Sequence, residues 1–461
     1  MSARPLVVVG DALLDVDLVG SASRLTPDAP VPVVEDIERR ERPGGAALAA
    51  VIAAAAGSRE VVLVAPIDSD DGAARLRELL AGRVRLIAIP AGGGTAVKQR
   101  VRVGDHSVAR LDSGAPVATL GPLPAEAAEA IRDAAAVLVA DYGRGTTAAA
   151  DVREALGAAR GPVVWDPHPR GADPVPNARL VTPNGAEAAR VAADAATGNG
   201  LAAVGARAEA LIRLWGVGAV AVTLGSRGAL LSYGSGAPMV VPAVAVTGGD
   251  PCGAGDSFAA AAALALADGA VTGEAVAAAV AFASAFVARG GATAWDAGDA
   301  AGAAGRPDAV ADTGAEGVIA QVRASGGTVV ATGGCFDLLH PGHVATLRAA
   351  RGLGDCLVVC INSDASVRRL KGPSRPLVTA GDRARVLEAL EFVDAVVVFD
   401  EDTPAEVLDR LRPDVWAKGG DYAGADLPEA EVLRTWGGQA VVLPYLDGHS
   451  TTALVERSRV W

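Results

Sequence analysis

The sequence is poor in aromatic residues and carries more acidic than basic side chains. Aromatic residues make up 3% of the 461 positions although hydrophobic residues make up 51%, so the core must be built from Ala, Val and Leu on closely packed helices. The net charge of −13 argues against a nucleic-acid surface, which normally needs a basic stripe. The longest apolar runs, such as Ala275 to Ala288, are shorter than the roughly 20 residues that cross a bilayer. We therefore expect no nucleic-acid partner and no membrane span.

Cysteine is also scarce, and the 4 cysteines form no paired framework, which is typical of a reducing compartment. The chain passes from Met1 into a predicted strand without the pattern of an export signal. We therefore expect a cytoplasmic protein. Length alone suggests about three units of roughly 150 residues each, but the positions of the motifs reduce this number to two domains.

Short apolar runs alternate with Ala-rich segments of helical length, which indicates an α/β protein with parallel sheets. Two segments, 31–38 and 96–111, alternate apolar and polar residues, which favours a small half-exposed sheet that covers a cleft. The segment 298–326 is rich in Ala, Gly and Asp and is predicted to be a linker. We predict a first domain over 1–297 and a second, Rossmann-like domain over 327–461.

A turn rich in glycine and histidine, Thr332-Gly-Gly-Cys-Phe-Asp-Leu-Leu-His340-Pro-Gly-His343, follows a predicted strand at 328–331. Pro341 suits a first helical turn, so His340 and His343 lie at i and i+3 on one helix face and can reach one ligand. The free N–H groups and partial positive charge of a helix N-terminus bind phosphate. The turn therefore predicts a phosphate-handling site for nucleotidyl transfer.

Two other roles compete for these histidines. A His-x-x-His pair often caps or packs a helix start, and paired histidines also bind zinc, although the cysteines nearby show no Cys-x-x-Cys spacing. The turn resembles the His-x-Gly-His signature of the nucleotidyltransferase superfamily, in which His340 and His343 would be the motif histidines. This resemblance implies catalytic roles for both.

A second phosphate cradle is predicted where Gly253-Ala-Gly-Asp256 opens the apolar helix that continues from Ser257. Backbone N–H groups of such a turn form an anion hole, whereas an Asp at a helix start is commonly only a cap or a dipole partner. The segment resembles the Gly-Ala-Gly-Asp signature of ribokinase-like sugar kinases. That resemblance implies that Asp256 takes the proton of the sugar hydroxyl that attacks the γ-phosphate of ATP.

More of the first half follows the same family, and the resemblance implies a ribokinase-like domain with a small β lid. Glu187 would help to organise Mg²⁺ through water, although Asn184 to Glu187 alone would pass for a capping box. The nucleotide contacts implied here are Asn184, Glu187, Thr223, Gly225, Gly228, Gly253, Ala254 and Gly255. The substrate contacts implied or considered are Asp11, Asp15, Gly44, Gly45, Lys98 and Arg100, of which the two cations could face either solvent or the cleft, with solvent the better default.

The second domain offers further candidates at strand ends and in basic loops. Asp364 follows a predicted strand, where nucleotide contacts are expected in open α/β sheets, although a plain cap is equally compatible. Lys371 is assigned to the catalytic group. Ser450 to Thr452 start a predicted last helix, where their hydroxyls could cap it or donate to phosphate. The nucleotide contacts predicted here are Gly333, Cys335, Phe336, Asp364, Lys418, Ser450, Thr451 and Thr452.

The order of these motifs resembles one family of fused enzymes, the bifunctional heptose-phosphate kinases and adenylyltransferases. The residues that carry this resemblance are Arg24–Val34, Glu41–Gly45, Lys371-Gly, Arg375-Pro, Arg383, Glu401–Pro404, Pro413-Asp414, Lys418–Tyr422 and Ser450–Thr452. The resemblance implies ATP-dependent phosphorylation of heptose 7-phosphate at C1, and transfer of AMP from ATP to heptose 1-phosphate with release of pyrophosphate. It also implies Mg²⁺, a separate phosphatase that acts between the two steps, and a homodimer.

Three positions depart from the family pattern. Leu48 stands where the family has Asn, His168 where it has Lys, and Pro251 before the anion hole where other residues are usual. Because an apolar side chain cannot replace an amide's hydrogen bonds to a sugar, the sequence leaves the sugar and its anomer open. Two rival functions also remain: a sugar kinase fused to a cytidylyltransferase for a polyol phosphate, and a non-catalytic nucleotide-binding regulator.

Overall fold

The computed structural model describes residues 4–26, 28–57, 59–104, 106–114, 119–244, 246, 249–293, 314–420 and 427–444. The contacts divide the chain into two compact units. The first takes its described residues from Met1–Val191, Leu214–Gly218 and Gly248–Asp299. The second takes them from Ala192–Arg213, Ala219–Thr247 and Ala300–Trp461.

The elements of the described residues are numbered along the chain. The strands are β1 Leu6–Gly10, β2 Ala12–Leu25, β3 Pro32–Gly45, β4 Val61–Ile67, β5 Arg85–Gly92, β6 Val97–Val103, β7 His106–Ser113, β8 Thr119–Leu120, β9 Ala136–Ala140, β10 Val163–Asp166, β11 Ala178–Val181, β12 Val220–Thr223, β13 Ala229–Ser232, β14 Met239–Val241, β15 Val329–Gly334, β16 Cys356–Asn362, β17 Ala395–Phe399, β18 Val415–Gly419 and β19 Gln439–Leu443. The helices are α1 Ala46–Ala56, α2 Asp71–Leu80, α3 Ala125–Asp133, α4 Ala150–Gly157, α5 Gly185–Val191, α6 Leu201–Trp215, α7 Ala254–Ala267, α8 Thr272–Ala288, α9 Gly314–Ala324, α10 Pro341–Arg351, α11 Asp364–Lys371, α12 Ala380–Glu388, α13 Ala405–Leu411 and α14 Glu429–Arg434.

The main sheet of the first unit has the order β8-β5-β4-β1-β9-β10-β11, and all of its strands except β8 are parallel. Its inner strands are runs of Val, Leu and Ala that are buried on both faces, as parallel sheets require. The strands predicted from these runs are confirmed. The chain order reverses between β1 and β9, and such a switch point is where open α/β sheets bind ligands.

A separate four-stranded sheet, in the order β3-β2-β6-β7, forms the lid. The strands β2 and β3 have 14 residues each and pair antiparallel, while β2 and β6 pair parallel. The lid segments 31–38 and 96–111 were predicted, but β2 was not. Its first half is fully buried beside the main sheet and its second half is exposed, so no single alternation pattern runs along it.

The second unit holds an antiparallel meander of β12, β13 and β14 and a parallel sheet in the order β17-β16-β15-β18-β19. The chain order of the parallel sheet reverses between β15 and β18, again a switch point. Helix α9 begins inside the segment predicted to be a linker, and its Ile319 belongs to the same hydrophobic core as β15, β16 and β17. The domain limits at 297 and 327 stay a prediction.

Among the described residues, none of the helices combines the length and the hydropathy that a membrane crossing demands.

Candidate active sites

The first candidate site lies at the carboxyl ends of β1 and β9. Asp11 follows β1, is buried, and accepts hydrogen bonds from the backbone N–H groups of Tyr142 and Arg144 at 3.0 and 2.9 Å and from the Thr146 hydroxyl at 2.5 Å. These donors all come from the loop after β9. Asp11, predicted as a sugar contact, therefore fixes this loop in the structure.

The predicted base, Asp256, lies in the first turn of α7, after Gly253, whose φ of 80° is left-handed. The side chain is only 8% exposed, and its Oδ1 accepts a hydrogen bond from the Tyr142 hydroxyl at 2.6 Å. Burial raises the pKa of Asp256 to about 6, against the lowering effects of Tyr142 and Lys98. The helix terminus alone would favour ionisation, so burial outweighs it, but the carboxylate is still mostly ionised at pH 7.

Asp15 is a third buried carboxylate of this site, and it lies beside Lys98 and the predicted glycines. Its Oδ1 pairs with Lys98 Nζ at 2.8 Å. A Cβ on Gly44 would lie 2.8 Å from the Asp15 Cγ, so only glycine fits there. Gly45 has a φ of 59° and immediately precedes α1. The structure brings Asp15, Gly44, Gly45 and Lys98 together.

A cavity of about 240 Å³ opens next to these residues. Tyr142 lines it and so connects it to Asp256. The other polar side chains that line it are Lys98, Arg100, Arg110, Asp112, Arg144, His168 and Arg170. Lys98 and Arg100, for which solvent was the better default, thus line a cleft with more cations than anions, although Lys98 pairs with Asp15 and Arg110 with Asp112, each at 2.8 Å. Such a cavity suits an anionic group.

Asn184 and Glu187 form a reciprocal capping box at the start of α5. The Asn184 Oδ1 accepts the backbone N–H of Glu187 at 3.0 Å, and the Asn184 N–H donates to Glu187 Oε2 at 2.8 Å. The alternative of a capping box is therefore confirmed. Burial raises the pKa of Glu187.

Asp166 at the end of β10 is a site residue that the motifs did not single out. Burial, and next the nearby charge of Asp256, raise its pKa well above the usual range, while the Thr182 hydroxyl donates to it at 2.8 Å. An acidic residue that ends a buried parallel strand was the available signal. The structure therefore adds a carboxyl group next to the predicted base.

The predicted anion hole lies beside Leu48, one of the three residues that depart from the family pattern. Leu48 of α1 is buried, and its Cδ2 lies 3.2 Å from where a Cβ on Gly253 would be. Asp250 holds the turn, since its oxygens accept the Cys252 N–H and the Thr293 hydroxyl, both at 2.9 Å. Gly253, Ala254 and Gly255 thus keep the predicted helix-start position.

Thr223, Gly225 and Gly228, predicted beside the nucleotide, lie in the second unit at the end of β12 and in the turn that follows it. Gly228 has a φ of 89°, and a Cβ there would meet the Val241 carbonyl oxygen at 1.9 Å. A glycine is therefore required by the fold at this position. Their nucleotide contact stays a prediction.

The second candidate site is the histidine turn at the carboxyl end of β15. His340 is the N-cap of α10, and its Nδ1 accepts the His343 backbone N–H at 3.3 Å. The two rings stack with centroids 3.7 Å apart and planes at 22°. The predicted helix start and shared face are confirmed, and the capping role occurs together with the pairing of the imidazoles.

His343 is neutral at pH 7 in this structure. Burial, and next the neighbouring His340, lower the pKa of His343 to about 4, and the Lys371 ammonium acts in the same direction. Its Nδ1 is buried without a hydrogen-bond partner among the described residues. Phe336, with a left-handed φ of 46°, places its ring 5.1 Å from the His343 ring. A neutral imidazole offers a hydrogen bond to phosphate rather than a charge.

Arg383 connects three predicted parts of this site. It is 2% exposed, and its guanidinium donates to the carbonyls of Val378 and Cys335 at 3.0 and 2.5 Å and to the Asp364 carboxylate at 2.8 Å. Asp364 also accepts the Ala380 N–H at 2.8 Å. Asp364 therefore serves first as an anchor for the loops around β16.

Two further residues shape the turn. Asp337 is buried, pairs with Arg375 at 2.7 Å and accepts the Leu377 N–H at 2.7 Å, a role that the motif did not reveal. A Cβ on Gly333 would lie 2.4 Å from the Trp416 ring, so this glycine is needed for close packing. Both fix the path of the chain between β15 and α10.

The predicted lysines differ in their surroundings. Lys371 ends α11 and is exposed. Lys418 pairs with the buried Glu429 at 2.9 Å, so its charge is already partly compensated. Ser450, Thr451 and Thr452 lie outside the described residues.

Comparison with known proteins identifies the class of each half. The model of the pfkB family of carbohydrate kinases matches residues 3–297, and a model described as cytidylyltransferase-like matches residues 331–457. Arabidopsis thaliana ribokinase, solved with ribose and ATP, is 23% identical with a TM-score of 0.50 and covers 62% of this chain and 93% of its own. The fold is therefore ribokinase-like followed by Rossmann-like, as predicted. The chain is a carbohydrate kinase joined to a nucleotidyltransferase.

Full-length relatives narrow this class to one family. "Bifunctional protein HldE" of Streptomyces coelicolor is 59% identical and covers 98% of this chain and 96% of its own. The protein of the same name from Azorhizobium caulinodans is 39% identical over 99% of this chain and 98% of its own, and that from Halorhodospira halophila is 40% identical over 98% and 97%. The chain belongs to the family of bifunctional HldE proteins. The predicted heptose kinase and adenylyltransferase functions are confirmed by this membership.

Arg383→Lys is expected to destabilise the second unit and to slow pyrophosphate release. Lysine keeps the charge but cannot supply the planar fork that reaches Asp364 and two carbonyls, so buried acceptors lose donors, at a cost of about 2 kcal/mol or more. Urea unfolding and a pyrophosphate assay measure both effects. The matched control is Arg385→Lys on the same helix, where the side chain is 79% exposed. Equal stability of the two variants would contradict the anchoring role.

Proposed function

We propose that Asp256 is the general base by which the first unit phosphorylates heptose 7-phosphate at C1. The observation that carries this proposal is the Tyr142 contact, which links the Asp256 carboxylate to the cationic cavity. An acceptor whose phosphate lies among Lys98, Arg100 and their neighbours would present its sugar to the base. The pKa of about 6 leaves Asp256 able to accept a proton at neutral pH.

The reaction at this site is an in-line transfer. The sugar oxygen attacks the γ-phosphorus of ATP, the bond to the bridging oxygen of ADP breaks, and the hydroxyl proton moves to Asp256. The N–H groups of Gly253 and Gly255 at the helix start would stabilise the charge on the transferred group, whereas the Ala254 N–H already donates to the Pro251 carbonyl at 3.0 Å.

Mg²⁺ is proposed as the metal of the kinase half, and the donor set fits it. No cluster of three or more metal-ligating side chains occurs among the described residues. Mg²⁺ is commonly held by one or two carboxylates together with waters and substrate phosphates. Glu187 supplies such a carboxylate, acting through water. When bound, the ion would neutralise charge on the ATP phosphates.

The second unit is proposed to transfer AMP to heptose 1-phosphate. The sugar phosphate oxygen attacks the α-phosphorus of ATP, and the bond to the β-phosphate breaks to release pyrophosphate. His340 and His343 would donate hydrogen bonds to the phosphates, and Lys371 would supply positive charge. Because His343 is neutral when free, a bound triphosphate would have to raise its pKa before it could add a charge. Lys418 would have to exchange Glu429 for a phosphate.

The surroundings of the enzyme are also proposals. ADP-heptose without a 7-phosphate requires a separate phosphatase between the two steps. A cytoplasmic location is supported by cysteines that are free among the described residues. A homodimer is supported by the lid, which exposes five large apolar side chains, Leu25, Val31, Ile37, Val108 and Leu111.

Reciprocal variants test the assignment of the two sites. Asp256→Asn is expected to lower ADP formation from ATP and heptose 7-phosphate by about a hundredfold or more while leaving pyrophosphate release from ATP and heptose 1-phosphate unchanged. His343→Ala is expected to do the reverse, with a loss of about a hundredfold. Each variant should keep the activity of its unaltered half, and that retained activity shows that the protein is folded. Wild-type rates in either affected assay would refute that site.

The nucleotide of the second unit is tested by supplying ATP or CTP with heptose 1-phosphate. We expect pyrophosphate release with ATP, and mass spectrometry should find ADP-heptose. A panel that adds glycerol phosphate covers the rival polyol pathway. Faster release with CTP would favour that rival, and ATP binding without turnover would favour a regulator.

The homodimer is tested by light scattering. Leu111→Asp should halve the measured mass, because it places a charge in the proposed apolar contact of the lid. Leu214→Asp on α6, also strongly exposed, is the control and should leave the mass unchanged. A wild-type mass of one chain contradicts the dimer.

A further inference from the structure

We infer that Tyr142 is a positioning residue of the kinase reaction, whose hydroxyl holds the Asp256 carboxylate in place and keeps it ready to accept a proton. This inference rests on the proposed role of Asp256 as the base. Tyr142 would act through Asp256 and would not itself exchange a proton with the sugar.

The geometry fixes Tyr142 at both ends. Its backbone N–H donates to Asp11 Oδ2 at 3.0 Å, and its hydroxyl donates to Asp256 Oδ1 at 2.6 Å. Its ring stacks against His168 with centroids 6.4 Å apart and planes at 24°. Asp11 therefore holds the backbone of Tyr142 in the loop after β9, and the Tyr142 hydroxyl in turn holds the Asp256 side chain on α7.

The charges around Asp256 show why such a donor is needed. Burial raises its pKa, and Asp15 from β2 adds to this effect. Lys98 from β6 and the backbone N–H of Asp256 oppose it, but Tyr142 is the largest of the three lowering contacts. Asp166 from β10 is a further acidic neighbour, and burial followed by repulsion from Asp256 raises the pKa of Asp166. Without the tyrosine hydroxyl, burial and like charges would hold Asp256 protonated over more of the neutral range.

Tyr142 itself stays protonated. Burial, followed by the charge of Asp256, raises its pKa well above 10, so the hydroxyl remains a donor throughout the working range. A folded-state carboxylate that gains such a donor has its pKa lowered relative to the same site without it. Removal of the hydroxyl must therefore move the acid limb of the rate profile to higher pH.

The test is the pH dependence of kcat for ADP formation from saturating Mg-ATP and heptose 7-phosphate. Tyr142→Phe should shift the acid limb upward by about one pH unit, equivalent to a roughly tenfold loss below the limb. The plateau above it should approach that of the wild type, and KM should change by less than about threefold because the ring is kept. The titration of ATP and of the sugar phosphate affects the profiles of the wild type and of Tyr142→Phe equally, so it does not contribute to the difference between them. Tyr233→Phe is the matched control, because this tyrosine is 36% exposed and is not among the residues that line the cavity, and it should show the wild-type profile.

An unshifted limb with a lower plateau, or a downward shift, would overturn the inference and leave Tyr142 with a structural role only. Adding Tyr142→Phe to Asp256→Asn should cause no further loss of the residual rate, since Tyr142 acts through the carboxylate; a further multiplicative loss would also overturn it. If Asp256→Asn alone keeps the wild-type rate, the proposed base fails first.

A second measurement does not need the phenylalanine protein to fold. In Asp256→Asn, one of the 4 tyrosines should ionise at lower pH than in the wild type, because Tyr142 no longer faces a carboxylate. Tyrosinate absorbance at alkaline pH reports this change. An unchanged titration curve would count against the coupling.

Discussion

The contact on which the first site depends is the hydrogen bonding of the Asp11 carboxylate to the loop after β9. Three donors from that loop converge on one buried side chain, so the loop is fixed at the point where the sheet order reverses. Tyr142 belongs to this loop. Its hydroxyl donates to Asp256, and its side chain lines the cationic cavity. Loss of the carboxylate would leave buried N–H groups unpaired and release the residues that define the site.

Loops of the second unit are also held by one buried charged side chain, but there it is a cation instead of an anion. There a buried guanidinium, Arg383, reaches the turn after β15, the acid after β16 and the loop before α12. In both units a single buried charged group gathers loops from neighbouring strands. The peptide groups at a switch point are otherwise exposed to a ligand cleft, and a fixed charge gives them a preferred arrangement before substrate arrives.

Burial shifts the pKa values of one proposed functional residue in each site in opposite directions. It raises the pKa of Asp256 to about 6 and lowers that of His343 to about 4, because in each case the charged form loses solvation. The pKa of the proposed base is thus close to neutral pH, and the His343 imidazole is an uncharged hydrogen-bond donor. In the proposed functions, local charges such as Lys98 and Lys371 would attract phosphate, although the chain as a whole has a net charge of −13.

The sequence by itself determined the α/β fold, the lid, the two helix-start turns and the family, because strand periodicity, glycine spacing and residues such as Asp256, His340 and His343 are local signals. It did not reveal β2, Asp166, Asp337 or the direction in which Lys98 and Arg100 face, since these depend on segments far apart in the chain. Only the tertiary structure decided that Asp11 and Asp364 hold loops, that Tyr142 contacts Asp256, and that burial sets the ionisation of both sites. Solvation and long-range hydrogen bonds exist only after the strands are assembled, so no local pattern can encode them.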